Sequence, residues 1–382
     1  MVKDPKHLKI ALVLDDSLDK ADGVQQYVLA VGKHLSSLGH EVHYLVGQTK
    51  RTDIPHIHSL SRNVNVRFNH NRMSMPLPAK RRRITEVLRR EDFDIIHVQM
   101  PYSPFLAGRI IKAAGPRTKI VGTFHVAPHS DTVFWANRIL ALAVGRSLKK
   151  FSKIICVSEI ARDFAASTFG IKDAVVIPNT VDLSPYFLAK AFPDYANVPV
   201  VSFLGRLVER KGCQNLLAAV ALLKKHNKLP SGCKILICGK GPLEQQLRAY
   251  VHNAGLQEYV EFKGFVTEVE KSRYLASSNA VVFPSTGGES FGIVLIEAMA
   301  ALPGVVLAGN NPGYAEVMRD MPDQIFDTAK HLELAKKLSV YLNNYALRRK
   351  ASAHQKHFVR QFHTTEVVAQ ILDVYNSAIA QN

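Results

Sequence analysis

Cysteine is scarce in this chain and poorly placed for cross-linking. The four cysteines, Cys156, Cys213, Cys233 and Cys238, form no CxxC pair, and their spacing suits neither a disulfide framework nor a zinc site. A reduced, cytosolic protein is expected. Long apolar runs are missing too. The opening MVKDPKHLKIALVLDD has too short an apolar stretch for a secretion signal, and aspartates close it. The longest apolar stretch, Gly292 to Gly309, contains Glu297 and is broken by Pro303, so it reads as a helix and then a strand, not a membrane span. Any membrane role is therefore expected to be peripheral, at the inner face of the cell membrane. There is no Walker A loop and no Gly-x-Ser-x-Gly elbow. Acidic side chains are in deficit, 32 against 49 Lys and Arg, a net charge of +17. Such a surplus implies an anionic partner: nucleic acid, phospholipid or a phosphorylated substrate. It is uneven, with 28 basic and 16 acidic residues in positions 1–190 and 21 and 16 in the rest.

What is present is an alternation of short apolar runs with helical periodicity. A length of 382 residues suits two domains. Runs at Lys9–Leu14, Val42–Val46, Ile95–Val98, Ile120–Thr123 and Ile154–Val157 read as buried parallel strands. Val24, Val28, Val31, Leu35 and Leu38 recur at helical spacing before Gly39. A second series runs through Val200–Leu204, Lys234–Cys238, Val260–Lys263, Ala280–Phe283 and Val305–Leu307, with helices at Asn215–Lys225 and Leu243–Asn253. This order predicts an α/β protein of two doubly wound parallel sheets. The boundary is expected in the Pro-containing stretch Asp182–Asn197, between domains over 1–185 and 190–360. An apolar-periodic helix at Val367–Ile379 closes the chain.

Five segments carry chemistry. The first is PSTGGESFGIVLIEAMA, Pro284 to Ala300. A strand runs into a Gly-Gly loop, and a helix is expected to open near Glu289–Ser290, where free backbone N–H groups and the helix dipole suit a diphosphate. Glu289 would face the ligand, and Glu297, two turns deeper, can accept hydrogen bonds from ribose hydroxyls. The second is Gly205-Arg206-Leu-Val-Glu209-Arg210-Lys211-Gly212, where Arg206 and Lys211 can neutralise a departing diphosphate. The third is Asp22-Gly23-Val24-Gln25, where Gly23 lets a phosphate approach backbone, a plain N-cap being the alternative. The fourth is Thr123-Phe124-His125, which places His125 at the carboxyl end of a strand. The fifth is the cluster Lys80, Arg81, Arg82 and Arg83. On a helix over Pro78–Arg90 it would sit beside an apolar stripe of Ile84, Val87 and Leu88, as an anionic bilayer favours. A solvated face or nucleic-acid phosphate would satisfy the same charges. Asp92-Phe-Asp94 precedes a strand and reads as a surface turn. His56-x-His58 and His354-x-x-His357 lack a third ligand nearby in sequence, which argues against metal there.

These segments, in this order and over essentially the whole chain, resemble the retaining glycosyltransferases of family 4, with the GT-B fold. The Glu289–Glu297 pair is similar to that family's two spaced glutamates. The GVQ turn, the DFDIIHV strand, the FH site and the GR…RKG loop are similar as well. The resemblance implies two Rossmann-like domains with a cleft between them, and a C-terminal helix (about 362–382) crossing to the first. It implies a hexosyltransferase using a nucleotide sugar, without cofactor or obligatory metal. Mannose from GDP-mannose would go to a membrane lipid such as phosphatidylinositol. Gly23, Arg206, Lys211, Glu289, Phe291, Gly292, Ile293 and Glu297 would bind the donor, and His125 the transferred sugar. Gln25, Asn63 and Arg67 would face the acceptor, and Lys80–Arg83 the membrane. A UDP-glucose-dependent enzyme acting on diacylglycerol is the alternative within the class. A nucleic-acid-binding protein on a degenerate GT-B scaffold is the alternative outside it, and the intact glutamate pair argues against it.

Overall fold

A computed structural model describes residues 7–19, 23–68, 71–76, 79–101, 103–125, 145, 147–289, 291–301 and 303–381, the side chains of 64–68 and 71–76 excepted. The chain packs as two compact units, Met1–Val181 with Thr364–Asn382, and Asp182–His363.

The first unit contains β1 (Lys9–Leu14), α1 (Gly23–Ser37), β2 (Glu41–Val46), β3 (Ile57–Ser59), β4 (Asn63–Phe68), β5 (Asn71–Pro76), α2 (Arg81–Glu91), β6 (Ile95–Gln99), α3 (Leu106–Ala113), β7 (Lys119–Phe124), β8 (Lys153–Cys156), α4 (Glu159–Phe169) and β9 (Val175–Val176). Its main sheet is parallel, in the order β3-β2-β1-β6-β7-β8-β9, while β4 and β5 pair as an antiparallel hairpin. Both faces of the sheet are covered, which is why its strands read as apolar runs without alternation. One face packs on α1 and on the C-terminal helix Thr364–Ala380, whose Val367, Val368, Ile371, Val374, Tyr375 and Ala378 recur at helical spacing and are all buried. Each large aliphatic side chain so buried contributes roughly 1.5–3 kcal/mol. The other face packs on α2 and α3.

The second unit contains α5 (Ser184–Phe187), β10 (Val200–Leu204), α6 (Cys213–Lys225), β11 (Lys234–Cys238), α7 (Glu244–Asn253), β12 (Val260–Gly264), α8 (Glu268–Ala276), β13 (Ala280–Phe283), α9 (Ile293–Ala301), β14 (Val305–Gly309) and β15 (Ile325–Phe326), followed by further helices. Its sheet order, β12-β11-β10-β13-β14-β15, is the Rossmann order of two mirrored halves. The order reverses between β10 and β13, so the loops leaving those two strands open a crevice at the carboxyl edge.

Three boundaries differ from the sequence expectation. The helix after β13 begins at Ile293, not near Glu289–Ser290, because Gly288 (φ 75°) and Gly292 (φ 92°) hold left-handed backbone that no α-helix continues. Glu289 therefore lies in the loop, and Glu297 alone lies on the helix. Helix α2 begins at Arg81, with Lys80 extended as its N-cap. The stretch Asp182–Asn197 is not an open linker: it carries α5 and a 3-10 turn at Pro193–Tyr195.

Candidate active site

The loops leaving β10 and β13 are tied together. Thr286 N–H donates to the Arg210 carbonyl (2.8 Å). Gly212, at φ 70°, lies so close to the Pro284 carbonyl that a Cβ would stand 2.0 Å from its oxygen. Only glycine allows this approach. The side chains then meet: Glu289 Oε1 accepts from Lys211 Nζ at 2.7 Å, Arg210 Nη1 at 2.9 Å and Ser285 Oγ at 3.0 Å. Among the described residues no donor meets Oε2. One carboxylate against two cations leaves this contact positive, and the exposed Arg206 and Glu209 of the same loop carry opposite charges. Arg210 joins the site although the sequence reading assigned it no role.

Glu297 is 1% exposed on α9. Its Oε1 accepts from Tyr186 Oη (2.8 Å) and Lys271 Nζ (2.9 Å), and no donor among the described residues meets Oε2. Burial pushes the carboxyl above its ordinary range, with Lys271 pulling it back. Burial would lower the Lys271 ammonium, but the Glu297 and Glu268 carboxylates outweigh it and raise it. Burial and the same carboxylates push the Tyr186 phenol far up, so it stays a donor. An unpaired buried carboxylate would be costly, and Tyr186 and Lys271 provide its pairing. Phe291 is buried against the Phe362 ring (5.5 Å), so its side chain is committed to packing. Gly292 lies against Tyr314, where a Cβ would come within 2.7 Å of the ring, and Ile293 is half-buried. Ser290 lies outside the described residues.

In the first unit the order reverses between β1 and β6, and polar side chains gather at the carboxyl ends. His125, just past β7, is buried, with Nδ1 3.1 Å from Asn179 Oδ1 and Nε2 2.7 Å from Gln99 Oε1. Burial lowers its pKa to about 4, so the ring is neutral. A neutral imidazole donates once, so one amide must turn its NH2 toward the ring. Gln99 Nε2, which meets no partner among the described residues, gains a bond by turning. A sugar hydroxyl reaches either nitrogen only by displacing an amide. Past β1, Asp16 Oδ2 accepts from Gln25 Nε2 (2.9 Å), and Asn63 Nδ2 stands 3.4 Å from its Oδ1. Asp16 thus gathers two of the expected acceptor residues. Gly23 is the exposed first residue of α1. Asp22, Val126 and the side chain of Arg67 lie outside the described residues.

Helix α2 corrects one expectation. Ile84 and Val87 are buried in the core beneath the sheet, so they form no free apolar stripe. Lys80, Arg81, Arg82 and Arg83 are exposed above them. What α2 offers outward is charge.

Residues 21–185 match the family described as Glycosyltransferase Family 4, and residues 188–358 match Glycosyl transferases group 1. A phosphatidyl-myo-inositol mannosyltransferase of Mycobacterium leprae is 31% identical over 97% of both chains, and one of Mycobacterium tuberculosis (strain ATCC 25618 / H37Rv) is 32% identical over 97% of both. The chain belongs to glycosyltransferase family 4. It is a hexosyltransferase, and solved structures agree on the fold. A glycosyltransferase from Rickettsia africae superposes with a TM-score of 0.76 at 20% identity, covering 99% of this chain and 100% of that one. Anabaena Alr3699/HepE, solved with UDP and glucose, superposes at 0.74 with 18% identity, covering 97% of this chain and 100% of that one. The glycosyltransferase is thus a GT-B protein of two Rossmann-like halves. Among its described residues no helix is long and apolar enough to cross a membrane.

Proposed function

We propose that this glycosyltransferase transfers mannose from GDP-mannose to phosphatidylinositol, with retention of configuration, at an anionic membrane surface. The observation that carries the reading is the positive contact in which Lys211 and Arg210 converge on Glu289, at the carboxyl edge where β10 and β13 diverge. Relatives named as phosphatidyl-myo-inositol mannosyltransferases over nearly their whole length support the choice of donor sugar and acceptor. A further relative, 27% identical over 81% of this chain, is named as a GDP-mannose-dependent enzyme.

In this reading Arg206 and Lys211 hold the diphosphate and stabilise its charge as the bond to the sugar breaks. The C1–O bond to phosphate breaks and a C1–O bond to the inositol oxygen forms on the same face. The hydroxyl proton passes to a phosphate oxygen. Glu289, oriented by its cations, offers Oε2 to the sugar, and Glu297 offers its Oε2 to the ribose. His125, with Gln99 and Asn179, shapes the floor beneath the transferred sugar. Gly23, Phe291, Gly292 and Ile293 supply backbone to the donor, while Gln25, Asn63 and Arg67 face the inositol. Lys80–Arg83 meet acidic headgroups by charge, each contributing about 1 kcal/mol near the surface. Charge neutralisation by side chains makes a divalent metal unnecessary, and no nucleic acid is required. The setting is the cytoplasmic face of the cell membrane.

The test is transfer into phosphatidylinositol vesicles from GDP-mannose, GDP-glucose and UDP-glucose in parallel, with the lipid products read by mass and sugar analysis and EDTA present in half the reactions. The vesicles also carry diacylglycerol. Mannosyl-phosphatidylinositol from GDP-mannose, at an EDTA-insensitive rate, is expected. A glucosyl-diacylglycerol formed from UDP-glucose would replace this reading with the other.

A further inference from the structure

We propose that His43, His58 and Glu91 bind a divalent transition-metal cation of the zinc class, at the amino-terminal edge of the first sheet and away from the transfer chemistry. The sequence shows only His56-x-His58 here. The fold supplies the rest. His43 and Leu45 share one face of β2, and Leu45 pairs in register with His58 on the edge strand β3, which brings both imidazoles to that face. Helix α2 ends over it, and its last residue is Glu91. One ligand atom from each of the three residues lies within 4.8 Å of the others.

The geometry fits a cation. The His43 and His58 rings are nearly coplanar, 6° apart, with His43 Nδ1 pointing at His58 Nε2 across 2.9 Å. Glu41 Oε1 accepts from His43 Nε2 at 2.8 Å. That bond fixes the proton on Nε2 and leaves the Nδ1 lone pair aimed at His58, the carboxylate–histidine arrangement that orients metal ligands. Burial keeps both imidazoles neutral, His58 down to about 4. A cation with metal–nitrogen bonds of about 2.0–2.1 Å at a tetrahedral angle needs the two nitrogens a few tenths of an ångström further apart and each ring tilted by about 35° so that its lone pair meets the metal. The half-exposed edge strand can supply that. The His58 proton moves from Nε2 to Nδ1 as the metal takes its place. Glu91 adds a carboxylate oxygen, and water completes the shell. A cation is already drawn here: Lys9 Nζ lies 2.8 Å from Glu91 and 2.9 Å from Glu41. Arg90 Nε lies 2.7 Å from the other Glu91 oxygen but is largely exposed, so Lys9 is the main competitor. The opposite edge of the sheet carries Asp16, Gln99 and His125, so the metal would clamp β2, β3 and α2 without entering catalysis.

Full-length protein stripped with chelator is titrated with Zn²⁺ by calorimetry and with Co²⁺ by its visible absorption. One equivalent should bind, with a d–d band and a rise in thermal midpoint. His58→Ala should weaken binding at least tenfold, with an unchanged circular dichroism spectrum. Lys9→Met should tighten it several-fold by removing the competing ammonium, a gain that no loss of folding can mimic. His354→Ala, in the helix Tyr345–Phe358, should leave binding unchanged. Binding that survives His58→Ala, that depends on His354, or that is absent in the wild type overturns the proposal.

Discussion

Lys211 and Glu289, 78 positions apart in sequence, meet at 2.7 Å where the loops leaving β10 and β13 converge. Lys211 closes the 3-10 turn Glu209–Lys211, and Glu289 lies in the loop that follows β13. The pair, with Arg210 and Ser285, ties the two segments into one defined shape.

The first prediction follows from that pair. Lys211→Ala and Glu289→Ala should each lower the transfer rate by about 10²-fold or more, as removing one preorganised group for developing charge commonly does. Both side chains are partly solvent-facing, so the thermal midpoint should stay within a few degrees of wild type. Initial rates at saturating donor, beside a melting curve, check both statements. Near-wild-type turnover in either variant would remove that residue from the mechanism.

Glu297 should behave differently. Lys271→Ala leaves a buried carboxylate without its cation and should destabilise the second unit by roughly 3–5 kcal/mol. Tyr186→Phe removes one neutral donor and should cost about 1 kcal/mol, raising the donor KM more than it lowers kcat. Urea unfolding and steady-state kinetics separate the two. If Lys271→Ala unfolds like wild type, the ion pair drawn here does not hold Glu297.

Much of this site was legible in sequence, and the exceptions have physical causes. Strands such as Lys9–Leu14, Val200–Leu204 and Ala280–Phe283 read correctly to the residue, because strands buried on both faces are continuous apolar runs. The hairpin Asn63–Pro76 went unread although NVNVRF alternates polar and apolar residues, the period of a half-covered strand. The helix starts at Ile293 and not near Glu289 because Gly288 and Gly292 hold left-handed backbone, a conformation the residue types alone do not reveal. Arg210, Gln99, Asn179, Tyr186 and Lys271 were missed because their partners lie 26 to 111 positions away, a distance only the fold resolves. The apolar stripe on α2 was read correctly as apolar and wrongly as free: amphipathic spacing does not say which surface the stripe covers.

That correction makes a prediction about α2. Replacing Lys80, Arg81, Arg82 and Arg83 by Ser should abolish binding to acidic vesicles at low salt, with little change in melting temperature. Ile84→Ala should do the reverse, destabilising by about 2–5 kcal/mol as a large buried side chain does, while the folded fraction still binds vesicles. Vesicle co-sedimentation across a salt series, with calorimetric melting, reads both. Loss of vesicle binding in folded Ile84→Ala would restore the inserted-stripe picture.

Acid should weaken the first unit. Burial lowers His97 to about 3 and His125 to about 4, so the unfolded chain takes up protons there first. Their stabilising contribution is complete above the unfolded value near 6.5 and is lost as pH falls toward the folded values. Asp15 acts in the opposite sense, burial having raised it to about 6, and offsets part of the loss between pH 6 and 4. For these three groups the balance is a loss on the order of 3 kcal/mol between pH 7 and 4.5, and His58, lowered to about 4, adds to it. Urea midpoints across that range should fall, and His97→Asn should flatten the slope by half or more. A midpoint that rises on acidification would show the histidines to be accessible in the native state.

The most direct measurement is calorimetric titration of GDP, with UDP and ADP alongside, into wild type and Lys211→Ala. The donor proposed above predicts that GDP binds wild type with the highest affinity of the three, and the loop end at Lys211 and Glu289 predicts that Lys211→Ala weakens it at least tenfold. GDP binding that is unchanged in Lys211→Ala would contradict the account, because the diphosphate would then be held elsewhere.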